Sequence, residues 1–216
     1  MTKTPLTIDF VADLVCPWCY VGWRHLQLAL EQRPDVVPAI TWRPFQLDPS
    51  TPAEGRDRAA HLAAKFPDKA RLDEVHDRLA DMASAAGLDM KLREVAKIPN
   101  TMDAHRLLLW ARASGDAALM TTLLFRAYWT ELRDIGDVEV LADVAAQAGL
   151  NREGMLEWLK SGEGADLVTR EYEMAARMGV TGVPFFIFGG RLAVSGAERP
   201  EGLVLAIDKA LELAAA

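Results

Sequence analysis

Cys16 and Cys19 are the only cysteines of the chain, and they bracket Pro17-Trp18 directly after Leu6 to Ala12, where apolar and polar residues alternate as they do in a strand. Two cysteines scattered over 216 positions would fall at this spacing in roughly one chain in a hundred, so the pair is read as chemistry. Beyond Pro17, the positions Cys19, Trp23, Leu26 and Leu30 trace one face of a helix that stops before Pro34. The unit is therefore strand, turn, helix. It puts Cys16 at a helix N-terminus, where unpaired backbone N–H groups and roughly half a positive charge favour a thiolate. Pro17 suits the first helical position because its missing N–H has no partner to lose. Cys19 returns to the same side one turn later. An exposed Cys16 thiolate beside a buried Cys19 thiol is the expected arrangement for exchange with an outside disulfide: Cys16 attacks and Cys19 resolves.

Further along, Ala39 to Arg43 reads as a second strand, opened by Pro38 and closed by Pro44 and Pro49. From Thr51 the pattern turns helical. Leu72, Val75, Leu79, Met82 and Ala86 keep a helical period up to Gly87, and Asn100-Thr101 caps a helix that runs to Gly115. Helices are predicted at about Asp116 to Leu132, Val138 to Ala148 and Arg152 to Leu159, and another from about Gly164 to Met178. Phe185 to Phe188, Gly189-Gly190 and Arg191 to Val194 spell a hairpin, and Pro200 opens a closing helix through Leu203, Ile207 and Leu211. His105 and Arg106 are expected on a helix surface, with Leu107 and Leu108 turned inward.

Composition limits the partners. With 24 Lys plus Arg against 31 Asp plus Glu, the formal charge is −7, and no dense basic run offers the concentrated positive field that nucleic acid or an anionic membrane requires. Asp9 and Asp13 interrupt any apolar run near the start, and no stretch reaches 18 apolar residues, so a cytoplasmic protein is expected. In a reducing compartment paired cysteines are more often catalytic or metal-binding than structural. Zinc normally wants four ligands; there is no second cysteine pair, and His25, His61, His76 and His105 lack the spacing of a finger, so no metal site is assigned. Trp18 carries no charge. It either packs or shapes the docking surface beside Cys16, and Cys16 is activated mainly by the helix end.

The order of Cys16-Pro17-Trp18-Cys19-Tyr20, a helical stretch, and Gly182-Val183-Pro184-Phe185-Phe186 resembles the DsbA-like branch of the thioredoxin superfamily. Pro99-Asn100-Thr101, Asp103-Ala104-His105-Arg106-Leu107 and Ser195-Gly196-Ala197 are similar to its FrnE-type members. The resemblance implies an α/β fold, a thioredoxin fold interrupted by a large all-helical insertion, with residues 1–50 and 164–216 thioredoxin-like and 51–163 inserted. It implies disulfide oxidoreductase or isomerase chemistry at Cys16 and Cys19, acting on protein or small-molecule disulfides. A cis bond at Pro184 would then face the cysteines, with Pro17, Trp18, Val183, Pro184, Asn100, Ser195, Gly196 and Ala197 around the substrate.

No tightly bound cofactor is implied. Some FrnE-type members carry a further cysteine pair in a C-terminal extension, whereas this sequence reaches Ala216 without one, so glutathione or a reductase is expected to complete the cycle. A glutathione on Cys16 would pair with Val183 as a short extended strand and point its γ-glutamyl carboxylate at Ser195-Gly196-Ala197, where free N–H groups before the last helix would receive it. A second group shares the Asn-Thr, Val-Pro and Ser-Gly-Ala segments: the glutathione-dependent kappa-class transferases and hydroxychromene-carboxylate isomerases. Those relatives generally have serine in place of Cys16 and lack the second cysteine, which turns the reading toward redox chemistry.

Overall fold

Leu6, Ile8 and Phe10 alternate along strand β1 (Thr4–Ala12) and are all buried, as a period of two dictates when one face of a sheet meets a core. In the computed structural model, which describes residues 3–114 and 117–215, β1 lies inside a four-stranded sheet. It pairs in parallel with β2 (Val36–Pro44) and antiparallel with β5 (Phe185–Phe188). A third partner, β6 (Leu192–Ser195), pairs antiparallel with β5, giving the order β2-β1-β5-β6. The crossover from β1 to β2 is helix α1 (Pro17–Glu31), since parallel neighbours need a long connection. Phe10 stacks on Phe186 across the β1–β5 pair at 5.0 Å and on Trp23 of α1 at 5.5 Å, which ties the sheet to the helix that carries the cysteines.

The helical insertion runs from α2 (Arg58–Lys65) and α3 (Lys69–Ala85) through α4 (Met102–Ser114), α5 (Ala117–Trp129), α6 (Val138–Gln147) and α7 (Arg152–Ser161). It is followed by α8 (Ala165–Arg177) and, after the β5–β6 hairpin, by α9 (Pro200–Ala215). Asp57, Asp68, Asp137 and Asn151 each cap a helix start with a side-chain oxygen. The expected helix stop at Gly115 and restart at Asp116 lie outside the described residues, as do Met1, Thr2 and Ala216. The insertion is not wholly helical, because β3 (Arg56–Asp57) and β4 (Lys97–Ile98) pair antiparallel at the mouth of α2. One apolar core joins β1, α1 and the insertion, and a smaller one seals the opposite face of the sheet, where Val11 meets Ala175 of α8 and Val180.

His105 and Arg106 are not at the surface: they are 0% and 1% exposed. Helix α4 packs against β2, α5, α6, α7 and α8, so Leu107 and Leu108 cannot define the only inward side. Arg106 donates to the backbone oxygens of Trp158 and Leu159 at the end of α7 and to that of Glu163 beyond it. His105 is placed below the cysteine turn and is described with it.

Glu171 fixes α8 to the sheet. Its carboxylate accepts from Arg43 of β2 at 2.9 Å and from Arg112 of α4 at 3.1 Å, and Arg43 also reaches Asp9 of β1 at 2.9 Å. Burial opposes ionisation of Glu171, but the hydrogen bonds and charges of Arg43 and Arg112 outweigh it and hold the carboxyl below its ordinary range. A carboxyl so depressed stabilises the folded state above its unfolded pKa, and that stabilisation fades as pH falls through the folded value. Glu171→Gln is expected to lower stability by about 1–3 kcal/mol at pH 7, with the gap to the parent closing on acidification below the normal carboxylate range. Urea midpoints of the two proteins from pH 7 to pH 3 check this, and a constant gap would remove the Glu171 carboxylate from the acid response.

Candidate active site

Strand β1 ends in the turn Asp13-Leu14-Val15, and the Asp13 carbonyl accepts the Cys16 amide at 3.1 Å, which aims the chain into α1. Cys16 is the extended N-cap residue of that helix and Pro17 its first residue. The Cys16 carbonyl accepts from the amides of Cys19 at 3.0 Å and Tyr20 at 3.4 Å, so the sulfur stands over the first turn rather than along it. Its thiol donates to the Val183 carbonyl at 3.7 Å. The Val183–Pro184 peptide is cis. Gly22 allows that loop to come close, because a Cβ there would stand 3.0 Å from Pro184 Cγ and 3.3 Å from Phe186 Cζ.

Cys16 is buried, 4% exposed, where the sequence reading had an exposed thiolate. Its sulfur lies against the Val183 carbonyl of the cis-proline loop. Helices α2 and α3 stand over the turn and enclose a cavity of about 660 Å³ whose wall includes Cys16, Trp18, Leu62, Phe66, Trp129 and Val183. Cys19 is sealed off at 0% exposure, and burial, followed by its hydrogen bond to Cys16 and the charge of that residue, pushes its thiol well above the ordinary range. The two sulfurs thus differ in access more than in position.

Beneath the turn lies a buried carboxylate. Asp13 is 1% exposed; its Oδ2 accepts from the Leu47 amide at 2.8 Å and its Oδ1 stands 3.3 Å from His105 Nε2. Trp42 Nε1 donates to His105 Nδ1 at 3.3 Å, which makes Nδ1 the acceptor and leaves the ring proton on Nε2, toward Asp13. Trp42, His105 and Asp13 thus lie in line beneath the turn, with Asp13 three residues before Cys16, and Asp13 Oδ1 and His105 Nε2 are buried without a hydrogen-bond partner among the described residues. Asp13 was legible only as a charge that interrupts an apolar run; the signal was a lone acid inside Phe10-Val11-Ala12-Asp13-Leu14-Val15, where a buried charge needs partners.

The remaining sequence-predicted residues divide into two groups. Pro17, Trp18 and Val183 border the cavity with Cys16, and Pro184 is the cis residue behind Val183. Asn100 does not border it. Its Nδ2 donates to the Thr51 carbonyl at 2.6 Å and its Oδ1 accepts from the Met102 amide at 2.9 Å, so it clamps a loop and caps α4 while its neighbours Pro99 and Thr101 face the cavity. Ser195, Gly196 and Ala197 lie behind the proline loop. Three of the amides expected to be free there are engaged: Gly196 N–H donates to the Pro184 carbonyl at 2.8 Å, Glu198 N–H to the Gly196 carbonyl at 2.9 Å, and Arg199 N–H to Glu198 Oε1 at 2.8 Å. That segment braces Pro184.

Residues 7–208 match the DSBA-like thioredoxin domain family. A probable DsbA oxidoreductase from Streptomyces coelicolor is 30% identical and superposes with a TM-score of 0.86, covering 96% of this chain and 90% of that one. A 2-hydroxychromene-2-carboxylate isomerase (18% identity, TM-score 0.74, 97% and 98% covered) and the cytosolic disulfide reductase DsbM from Pseudomonas aeruginosa with GSH (20%, 0.64, 96% and 96%) share the fold. Among the described residues no helix is long and apolar enough to cross a membrane. Since the family match takes in both halves of the sheet and all the helices between them, the chain belongs to the DSBA-like thioredoxin domain family.

Proposed function

We propose that this protein is a cytosolic thiol–disulfide oxidoreductase in which Cys16 attacks and Cys19 resolves. The observation that supports it best is the unequal access of two neighbouring thiols, one opening into a cavity at a helix start and one sealed beneath it. The Cys16 thiolate attacks a substrate sulfur. A Cys16–S bond forms, the substrate S–S bond breaks, and the leaving sulfur departs as a thiolate. Cys19 then gives up its proton and attacks Cys16 Sγ, releasing the second substrate thiol. Two electrons have passed to the substrate, and the protein holds a Cys16–Cys19 disulfide until an external thiol, glutathione or a reductase, reduces it. An extended substrate can pair its backbone with Val183, whose carbonyl lies within reach of the Cys16 sulfur.

Cys19→Ser is expected to trap a mixed disulfide through Cys16, because the resolving sulfur is gone, and mass spectrometry of the adduct checks this. Equal labelling of the two cysteines by a slow alkylating agent would overturn the assignment. A second reading, a glutathione-dependent transferase or isomerase, draws on the enclosed cavity, which suits a small molecule. It requires turnover that Cys19→Ser leaves intact.

A further inference from the structure

Arg58, the first residue of α2, is 7% exposed. Among the described residues its guanidinium has no hydrogen bond and no ion pair, in contrast to buried Arg106, which is bonded to Asp103 and to three backbone oxygens. Both its burial and its place work against it. Taking a cation out of water without a partner is costly, and a helix start repels positive charge. Burial accordingly lowers its hold on the proton.

Arg58 borders the cavity that contains Cys16, with its guanidinium carbon 5.8 Å from the centre of the Trp129 ring. Trp129 donates from Nε1 to the Leu14 carbonyl at 3.0 Å, two residues before Cys16, so one rigid indole links the arginine to the cysteine turn. Of the cavity's carboxylates, Asp48 is engaged with Arg56 and Ser50, and Asp13 accepts from the Leu47 amide through Oδ2 while its buried Oδ1 has no hydrogen-bond partner among the described residues. His76 also faces Arg58 there, and burial, then the charges of Arg58 and Arg93, hold its imidazole below the ordinary range and so neutral at pH 7. Exposed Lys65 is the second cation of this wall, and it has no ion pair among the described residues. The remainder of the wall is apolar, from Leu62, Phe66, Leu72, Val75 and Leu79.

We infer that Arg58 is a carboxylate anchor within the Cys16 cavity, selecting small disulfides that carry an anionic group on an apolar body. This rests on Cys16 as the reacting thiol and adds what that reading leaves open, the class of substrate. The apolar body lies against Leu62, Phe66 and Trp129, the anion pairs with the guanidinium in a place of low polarity, and the disulfide is presented to Cys16.

Oxidation of the reduced protein by three small disulfides tests it: 5,5′-dithiobis(2-nitrobenzoate), which is anionic and aromatic, neutral 2-hydroxyethyl disulfide, and cationic cystamine. Arg58→Met, which keeps an unbranched stem but removes the charge, is expected to slow the anionic reagent by about tenfold or more while leaving the neutral one within about twofold, and Arg58→Lys to restore part of the loss. An equal effect of Arg58→Met on all three reagents would overturn the inference. A separate arm does not depend on exchange: 2-nitrobenzoate titrated into Cys16→Ser should bind saturably, and Arg58→Met in that background should abolish the binding. If the parent protein consumes none of the disulfides but the titration behaves as expected, the redox reading fails and the anchor stands; if exchange is intact and 2-nitrobenzoate never binds, the anchor fails alone.

Discussion

Cys16→Ser is expected to reduce disulfide exchange by about three orders of magnitude or more without lowering the thermal midpoint of the protein. The two halves have different causes. Exchange runs through a sulfur–sulfur bond that a hydroxyl cannot form, and serine stays protonated at neutral pH even at a helix start. Cys19 cannot take over, because it is 0% exposed and its thiol is pushed well above the ordinary range by burial. Stability should move the other way. Cys16 makes no side-chain hydrogen bond to the amides of α1, whereas serine at an N-cap accepts one and contributes up to about 1 kcal/mol. Rates on a peptide disulfide together with a melting curve test both halves. Retained exchange would place the nucleophile elsewhere, and a lost fold would make the lost rate uninformative, which the Cys19→Ser adduct then resolves by showing where a substrate is held.

The parts of the molecule written in adjacent residues were legible. β1, the Cys16-Pro17-Trp18-Cys19 turn, α1 and the β5–β6 hairpin follow from alternation, a proline at the first helical position and paired glycines, all of which act over a few residues. What the sequence hid depends on partners distant along the chain. Helix α2 has a capping Asp57, yet it is only 8 residues long and most of them are exposed, so it is hard to pick out before it is seen bordering the cavity beside the cysteine turn. It also lines the cavity onto which the Cys16 sulfur opens.

Asp13, Asn100 and His105 show the same limit from the polar side. An acid, an amide and an imidazole have several honest uses, and choosing among them needs the identity of the group opposite. Leu47 and His105 decide Asp13, Thr51 and Met102 decide Asn100, and Trp42 decides the tautomer of His105. The reading of free amides near Ser195 failed for a related reason, since the proline loop that consumes one of them, through the Pro184 carbonyl, precedes them by a full hairpin.

Arg106→Met is expected to destabilise the protein by about 3–5 kcal/mol, a large part of the 5–15 kcal/mol typical of a folded domain. The guanidinium donates from Nε to the Glu163 carbonyl at 2.6 Å, from Nη1 to Asp103 at 2.7 Å and to the Leu159 carbonyl at 2.8 Å, and from Nη2 to the Trp158 carbonyl at 3.0 Å. Its carbon lies 4.7 Å from the centre of the Trp158 ring. Trp158 and Leu159 belong to the last turn of α7, where the Trp158 carbonyl also accepts from the Ser161 hydroxyl at 2.7 Å and the Leu159 carbonyl from the Gly162 amide at 3.3 Å, and Arg106 of α4 adds a second donor to each from outside the helix. Methionine fills much of the volume but donates nothing, so four hydrogen bonds of a buried guanidinium are lost at once. Arg106→Lys should recover only part of the loss, because an ammonium cannot present a planar fork to several carbonyls at once. Urea unfolding of the three proteins measures the series, and an unchanged midpoint in Arg106→Met would show that α7 is held to α4 by its apolar contacts alone.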